Sequence, residues 1–345
     1  MKKSTITAIL SAAAIALIST ACAKDADEVK NASAKRYFDA WMSVNNGTAF
    51  DVLYRTQRGA YIIEEEQGTG QTLNYSADDT CYVFVNYTEY DLDGNVKSNN
   101  RETIAKLNGD YSESSFYGPT VWLRGTDYIY AGVDDVLEGM KIGGRRKAII
   151  PGWLLAYKDY ETEDQYIKNC EGSDRIYDIA VTGTCSNITK WEIDSLERYV
   201  SRVMPGIDST GYGFYYKTIN EPTDTNTIST DSTVYINYVG KLLNGKIFDT
   251  NIKKTAIDAG IYSSSTTYEP TKITMDETYS SIKMGDDENS IIDGFAYAIS
   301  KMRPFEKIVC VFYSGRGYSY SGSGSTIPAY SPLMFEIELV DAPEE

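Results

Sequence analysis

The sequence predicts an α+β fold built on antiparallel sheet and used twice. Two short runs alternate apolar and polar residues, Val83-Phe-Val-Asn-Tyr87 and Val234-Tyr-Ile-Asn-Tyr238, the pattern of half-buried strands. Each is followed by a hairpin signal, Asp93-Gly94 or Asn244-Gly245. Each copy then supplies one short helix, expected over Asp134 to Met140 and over Asp293 to Met302, and closing strands. The duplication itself is read from spacing: Tyr61 to Tyr212, Tyr87 to Tyr238 and Gly94 to Gly245 are each 151 residues apart.

The chain begins with Lys2 and Lys3, an apolar run from Ile6 to Ile18, and the small residues Ser19, Thr20 and Ala21 before Cys22. The run is short for a bilayer span, so residues 1–21 read as a signal peptide. The Ser-Thr-Ala-Cys junction resembles a bacterial lipobox, with Ser19 where Leu is usual, which makes Cys22 the expected lipidation site and the mature protein an outer-membrane lipoprotein, periplasmic or surface-exposed. Ordinary secretory cleavage is the other reading. Ala23-Lys-Asp-Ala-Asp-Glu28 resembles the export tag of Bacteroidota lipoproteins and equally suits a solvated linker.

A helix over roughly Ser33 to Val44 then spaces the body from the anchor, closing an expected linker of residues 22–50. The first copy follows over 51–189. A second helix, from about Trp191 to Val203 and stopped by Pro205-Gly206, opens the region 190–345 that holds the second copy. Four further cysteines, Cys81, Cys170, Cys185 and Cys310, show no CxxC spacing. Cys170 and Cys185 flank one expected strand, which suits either a disulfide in an oxidising compartment or two free thiols.

Length and composition bound the function. At 345 residues there is room for about two domains of roughly 100–200 residues each. Lys and Arg number 33 against 49 Asp and Glu, a net charge of −16, which repels phosphate backbones and argues against nucleic acid as a partner. There is no histidine, so Ser/His and Cys/His nucleophile pairs and His-ligated zinc sites are excluded.

The second copy presents six motifs in order: Val234-Tyr-Ile-Asn-Tyr238-Val-Gly240, Asn244-Gly-Lys-Ile-Phe248-Asp249, Ile291-Ile292-Asp293-Gly294-Phe295, Gly315-Arg-Gly-Tyr318, Ile327-Pro328 and Leu333-Met-Phe335-Glu-Ile-Glu-Leu339. This series resembles the FKBP-type peptidyl-prolyl cis-trans isomerases. The first copy is similar through Val85-Asn-Tyr87, Asp93-Gly94, Leu137-Glu-Gly-Met140, Gly143-Gly-Arg-Arg-Lys147, Ile149-Ile-Pro151, Ala156-Tyr157 and Tyr177-Asp-Ile-Ala-Val181. The resemblance implies two tandem FKBP-like domains, each a bent antiparallel sheet wrapped on a short helix, with an aromatic cleft between sheet and helix. It assigns catalytic roles to Tyr238, Phe248, Asp249 and Tyr318, and substrate contacts to Ile291, Ile292, Phe295, Ile327 and Phe335. It implies proline-containing polypeptides as clients, no cofactor and no metal.

The residue types suit that chemistry. Prolyl isomerisation breaks no covalent bond; its barrier of ~18–20 kcal/mol is the amide resonance lost as the C–N bond twists. A dry box that strips water from the amide favours the twisted form, and no imidazole is needed. With no histidine to titrate near neutrality, the pH–rate profile between about 6 and 8 is expected to be flat. Two differences from the family stand out: Phe295 occupies a floor position where Trp is common, and the segment from Asn251 to Thr278 is longer than compact members need. In the first copy Lys97-Ser98 stand where the second has Phe248-Asp249, Val133 takes the floor position, and the charged stretch Glu161 to Arg175 replaces the Gly-rich loop. The first copy is therefore expected to bind or to space. The rival reading of the whole chain is a non-catalytic surface module that binds peptide or glycan with the same fold and its 29 tyrosines.

Overall fold

The computed structural model describes residues 32–73, 81–125, 127–220, 222, 226–286 and 288–343. The expected signal peptide and Cys22 lie outside the described residues. Among those that are described, no helix is long and apolar enough to cross a membrane. The chain forms two compact units, one from residues up to 104 with 122–184, the other from 105–121 with residues from 185 onward.

Helix α1 (residues 32–45) precedes the first sheet, made of β1 (Tyr54–Arg55), β2 (Tyr61–Glu66), β3 (Tyr82–Tyr90), β4 (Val96–Asn99), β5 (Thr120–Leu123, which starts at the end of the 105–121 segment), β6 (Arg145–Ile150) and β7 (Arg175–Cys185). The strand order is β1-β2-β6-β7-β3-β4, with β5 also on β3. Helix α2 (Glu102–Asn108) follows β4, α3 (Ala131–Leu137) packs on the sheet, and α4 (Glu163–Asn169) lies between β6 and β7. The charged stretch read as a loop replacement thus contains a helix. Thr162 accepts from the Gln165 amide while the Gln165 side chain reaches back, a capping box that nucleates it.

The second unit opens with α5 (Ile188–Val203), whose N-cap Asn187 accepts from the Lys190 amide. Its apolar face buries Ile188, Ile193, Leu196 and Val200. Strands β8 (Asp208–Gly211), β9 (Phe214–Thr218), β10 (Thr233–Leu242), β11 (Ile247–Thr250), β12 (Thr271–Thr274), β13 (Lys283–Met284), β14 (Asn289–Ser290), β15 (Lys307–Phe312) and β16 (Leu333–Val340) form its sheet, with α6 (Lys253–Asp258) and α7 (Asp293–Ile299). The path β8-β9-β15-β16-β10, with β11 and β12 both on β10, repeats strand for strand the path of the first sheet. The α+β antiparallel fold and its duplication are therefore present as the sequence predicts.

Several boundaries differ from expectation. Helix α3 starts three residues early and ends at Leu137, because Gly139 takes φ +70° two residues later and turns the chain out of the helix. Helix α5 starts three residues before Trp191, at the residue following its Asn187 cap, and α7 stops at Ile299, short of Met302. The long segment after Asn251 is ordered as α6 and β12, and β12 pairs with the first half of β10.

One detail is shared by both sheets at the end of the hairpin. Asn251 accepts from the Tyr238 amide at 2.9 Å and donates to the Ile236 carbonyl at 2.8 Å, while Asn100 accepts from the Tyr87 amide at 2.8 Å and donates to the Val85 carbonyl at 2.9 Å. Each side-chain amide completes the ladder where its strand leaves for α2 or α6. Among the described residues no disulfide joins Cys81, Cys170, Cys185 or Cys310, and Cys81 and Cys310 are buried.

Candidate functional site

The site grows from one face of β10. Alternation along the strand puts Ile236, Tyr238 and Gly240 on the same side. Gly240 pairs with Asp249 on β11 and with Phe335 on β16. A Cβ at Gly240 would stand 2.7 Å from the Phe248 ring and 2.9 Å from the Phe335 ring, so the missing side chain is what lets both rings close over the strand.

Four rings then meet edge to face. Phe248 and Phe335 lie 5.5 Å apart at 86°, Phe295 and Phe335 4.8 Å apart at 64°, and Tyr238 and Phe295 5.7 Å apart at 76°. Such geometry suits the aromatic quadrupole. Phe312 stacks behind Phe335 at 5.9 Å. Tyr238, Phe295, Ile327 and Phe335 are buried in one cluster, and Phe248, Ile291, Ile292 and Tyr318 pack against it half-exposed. Ile292 caps α7, its carbonyl accepting from the Phe295 and Ala296 amides, which seats Phe295 in the first helical turn.

Asp249 supplies the charge. The Tyr238 hydroxyl donates to its Oδ2 at 2.9 Å. The carboxylate keeps an exposed edge, yet the surrounding rings strip enough water to push its pKa up, opposed by the Tyr238 bond and the Thr250 amide. The same desolvation, with the charge of Asp249, raises the pKa of Tyr238 and of Tyr318. Eight of the nine residues singled out in the sequence thus pack in or against one apolar cluster, and Asp249 joins it through the Tyr238 hydroxyl.

Sequence reasoning missed other parts of the surround. Arg316 Nη1 bonds Asp293 Oδ2 at 2.7 Å and its guanidinium lies over the Phe214 and Tyr297 rings, tying the Ser314–Arg316 turn to α7 below Tyr318. Both residues stood inside recognised motifs, but nothing in their spacing signalled that they pair. Beneath the same turn Glu192 of α5 is 1% exposed and accepts from Ser314 Oγ at 2.9 Å, while its Oε1 has no partner. Burial pushes its pKa up to about 7. The sequence reading considered only unperturbed groups and gave no sign of this one, because helix periodicity does not reveal which glutamate a later turn will cover.

The matching position of the first unit is differently furnished. Glu89 pairs with Ser98 as Gly240 pairs with Asp249, and the Tyr87 hydroxyl lies 2.9 Å from Ser98 Oγ. Val133 is buried at the floor. Around it stand Trp122, 5.0 Å from Tyr87, and the Tyr130–Tyr157 pair at 4.5 Å. No carboxylate takes the place of Asp249.

A family model described as FKBP-type peptidyl-prolyl cis-trans isomerase matches residues 224–340, the span that carries the whole ring box and Asp249. This region is similar to the FKBP-type peptidyl-prolyl cis-trans isomerase family. The chain is 24% identical over 185 residues to a probable FKBP-type peptidyl-prolyl cis-trans isomerase of Haemophilus influenzae, covering 53% of this chain and 66% of that protein. It is 26% identical over 136 residues to the FKBP-type 22 kDa peptidyl-prolyl cis-trans isomerase of Escherichia coli, covering 39% of this chain and 53% of that protein. The FKBP-type match thus spans less than two thirds of either relative. Among solved structures, a peptidyl-prolyl cis-trans isomerase from Pseudomonas syringae pv. tomato aligns at TM-score 0.32 and 24% identity over 46% of this chain and 98% of its own. The three FKBP domains of wheat FKBP73 align at TM-score 0.29 and 14% identity over 82% of this chain and 94% of theirs.

Proposed function

We propose that the protein is a peptidyl-prolyl cis-trans isomerase and folding helper for extracytoplasmic proteins, with catalysis in the cleft of the second unit. The observation that carries this reading is the four-ring box with a single carboxylate at its rim, in the region that matches the FKBP-type family. Phe248, Phe295, Phe335 and Tyr238 enclose the proline ring, and Ile291 and Ile327 close the sides.

Water excluded from the box no longer stabilises the planar, charge-separated amide, so the twisted form becomes relatively more favourable. Tyr318 and the Ile292 amide hold carbonyls of the bound peptide. Asp249, fixed by Tyr238, orients the pocket and polarises the twisting bond. No proton is transferred and no bond is broken. The substrates are proline-containing polypeptides, and a lipid on Cys22 holds the protein at the outer membrane. The first unit, which has Ser98 in place of the carboxylate, binds chains without turning them over.

A protease-coupled assay on a proline-containing peptide tests this with the full chain. Turnover that is lost in Phe248→Ala and kept in Tyr87→Phe supports the reading. Binding without turnover by the wild-type protein would instead favour the non-catalytic surface module.

A further inference from the structure

The chain carries a second repeat inside the first one. Tyr111-Ser-Glu-Ser-Ser-Phe-Tyr117 and Tyr262-Ser-Ser-Ser-Thr-Thr-Tyr268 lie 151 residues apart and fold alike. In each, two tyrosine rings stack at 19°, Tyr111 with Tyr117 at 5.5 Å and Tyr262 with Tyr268 at 5.3 Å. In each, a serine pair is joined at 2.8 Å, Ser112 with Ser114 and Ser263 with Ser265. The second tyrosine hydroxyl of each accepts from the amide of its first serine, at 3.0 and 2.9 Å. The loop therefore holds its shape without help from the residue before that tyrosine, which is Phe116 in one copy and an exposed Thr267 in the other.

Phe116 has a different use. Residues 105–121 belong to the second compact unit, and there Phe116 packs half-buried on the cluster that contains Tyr238, Phe295, Ile327 and Phe335. Its amide donates to the Ser325 carbonyl at 2.7 Å, and Ser115 Oγ bonds Ser325 Oγ at 3.0 Å. From the other side Lys246 Nζ donates to the Ser115 carbonyl. Ser325 precedes Ile327 by two residues and Lys246 precedes Phe248 by two, so Ser115 and Phe116 bond to two of the chain segments that lead into the ring box.

We propose that residues 112–118 form a strap across the mouth of the cleft, with Phe116 as its plug, and that a polypeptide gains the ring box only when this strap is displaced. The strap is a competing apolar ligand supplied by the chain itself. Its contacts with those segments are two backbone-accepted bonds, one hydroxyl pair and one ring, a set that a client peptide replaces bond for bond. This inference rests on the cleft being the substrate site.

The test compares the full chain with Phe116→Thr, the residue that the sister loop carries at this position, and with Phe116→Leu, which keeps an apolar plug. Binding of a fluorescent proline-containing peptide is followed by anisotropy and turnover by the protease-coupled assay. Phe116→Thr should bind at least threefold more tightly and turn over faster by a similar factor, with Phe116→Leu close to wild type. Equal or weaker binding by Phe116→Thr, including no binding by either form, overturns the strap. Tighter binding without turnover in any form supports the strap and overturns only the isomerase reading.

Discussion

The Tyr238 hydroxyl donates to Asp249 across 2.9 Å, and 151 residues earlier the hydroxyl of Tyr87 meets Ser98 at the same distance. One geometry serves two chemistries: a carboxylate crowded by rings on one sheet, a neutral hydroxyl on the other. The difference directs where activity should be sought.

Trimming Phe248→Ala opens the box to water. The expected loss in kcat/KM is at least about tenfold, or ~1.4 kcal/mol of transition-state stabilisation. Asp249→Asn keeps size and the capacity to accept from Tyr238, so its loss should be smaller. Both are read in the protease-coupled assay, and a larger effect from Asp249→Asn would mean that the charge outweighs desolvation.

Gly240→Ala tests how tightly the rings close. The new methyl meets Phe248 and Phe335 at 2.7 and 2.9 Å, so the rings must shift. A stability loss of about 1–3 kcal/mol in urea unfolding should accompany reduced turnover. Unchanged turnover would show that the ring spacing is not critical.

Glu192 makes stability depend on pH. Its folded pKa of about 7 stands above the ordinary 4.5, so between these values the folded protein holds a proton that the unfolded chain has released. Stability present below about pH 4.5 is therefore lost as pH rises through 7. From pH 5 to pH 8 the wild type should lose about 2 kcal/mol more than Glu192→Gln. Parallel stability curves for the two proteins would place the Glu192 pKa near its ordinary value.

Cys22 is tested by labelling. Palmitate should mark the wild-type protein, and Cys22→Ser should abolish both the label and retention in the membrane fraction. Unchanged partitioning after that substitution would exclude the lipid anchor.

The sequence made the cleft unusually legible because its parts are local. Phe248-Asp249 follows a hairpin turn, Ile292 to Phe295 starts a helix, and Phe335 sits in an alternating strand, so motif order alone brings nine residues to one place. What it hid depends on long-range burial. Glu192 lies 122 residues from Ser314 in the chain, and no pattern within α5 shows that a turn will cover it. The contact of Phe116 with Ser325 is equally remote in the chain. Helix ends shifted by a turn because caps such as Asn187 and Gly139 decide them, and apolar periodicity is blind to caps.

Asn100 and Asn251 act as surrogate strand residues: each lends a side-chain amide where the backbone has already departed. The frame of each sheet is thereby secured by a group that does not face the cleft. Residues lining the cavity are then free to drift after duplication without unravelling what supports them, which is how a carboxylate on one sheet and a serine on the other sit on the same chassis. For an engineer this is a site whose lining can be rewritten while the two asparagines are left alone.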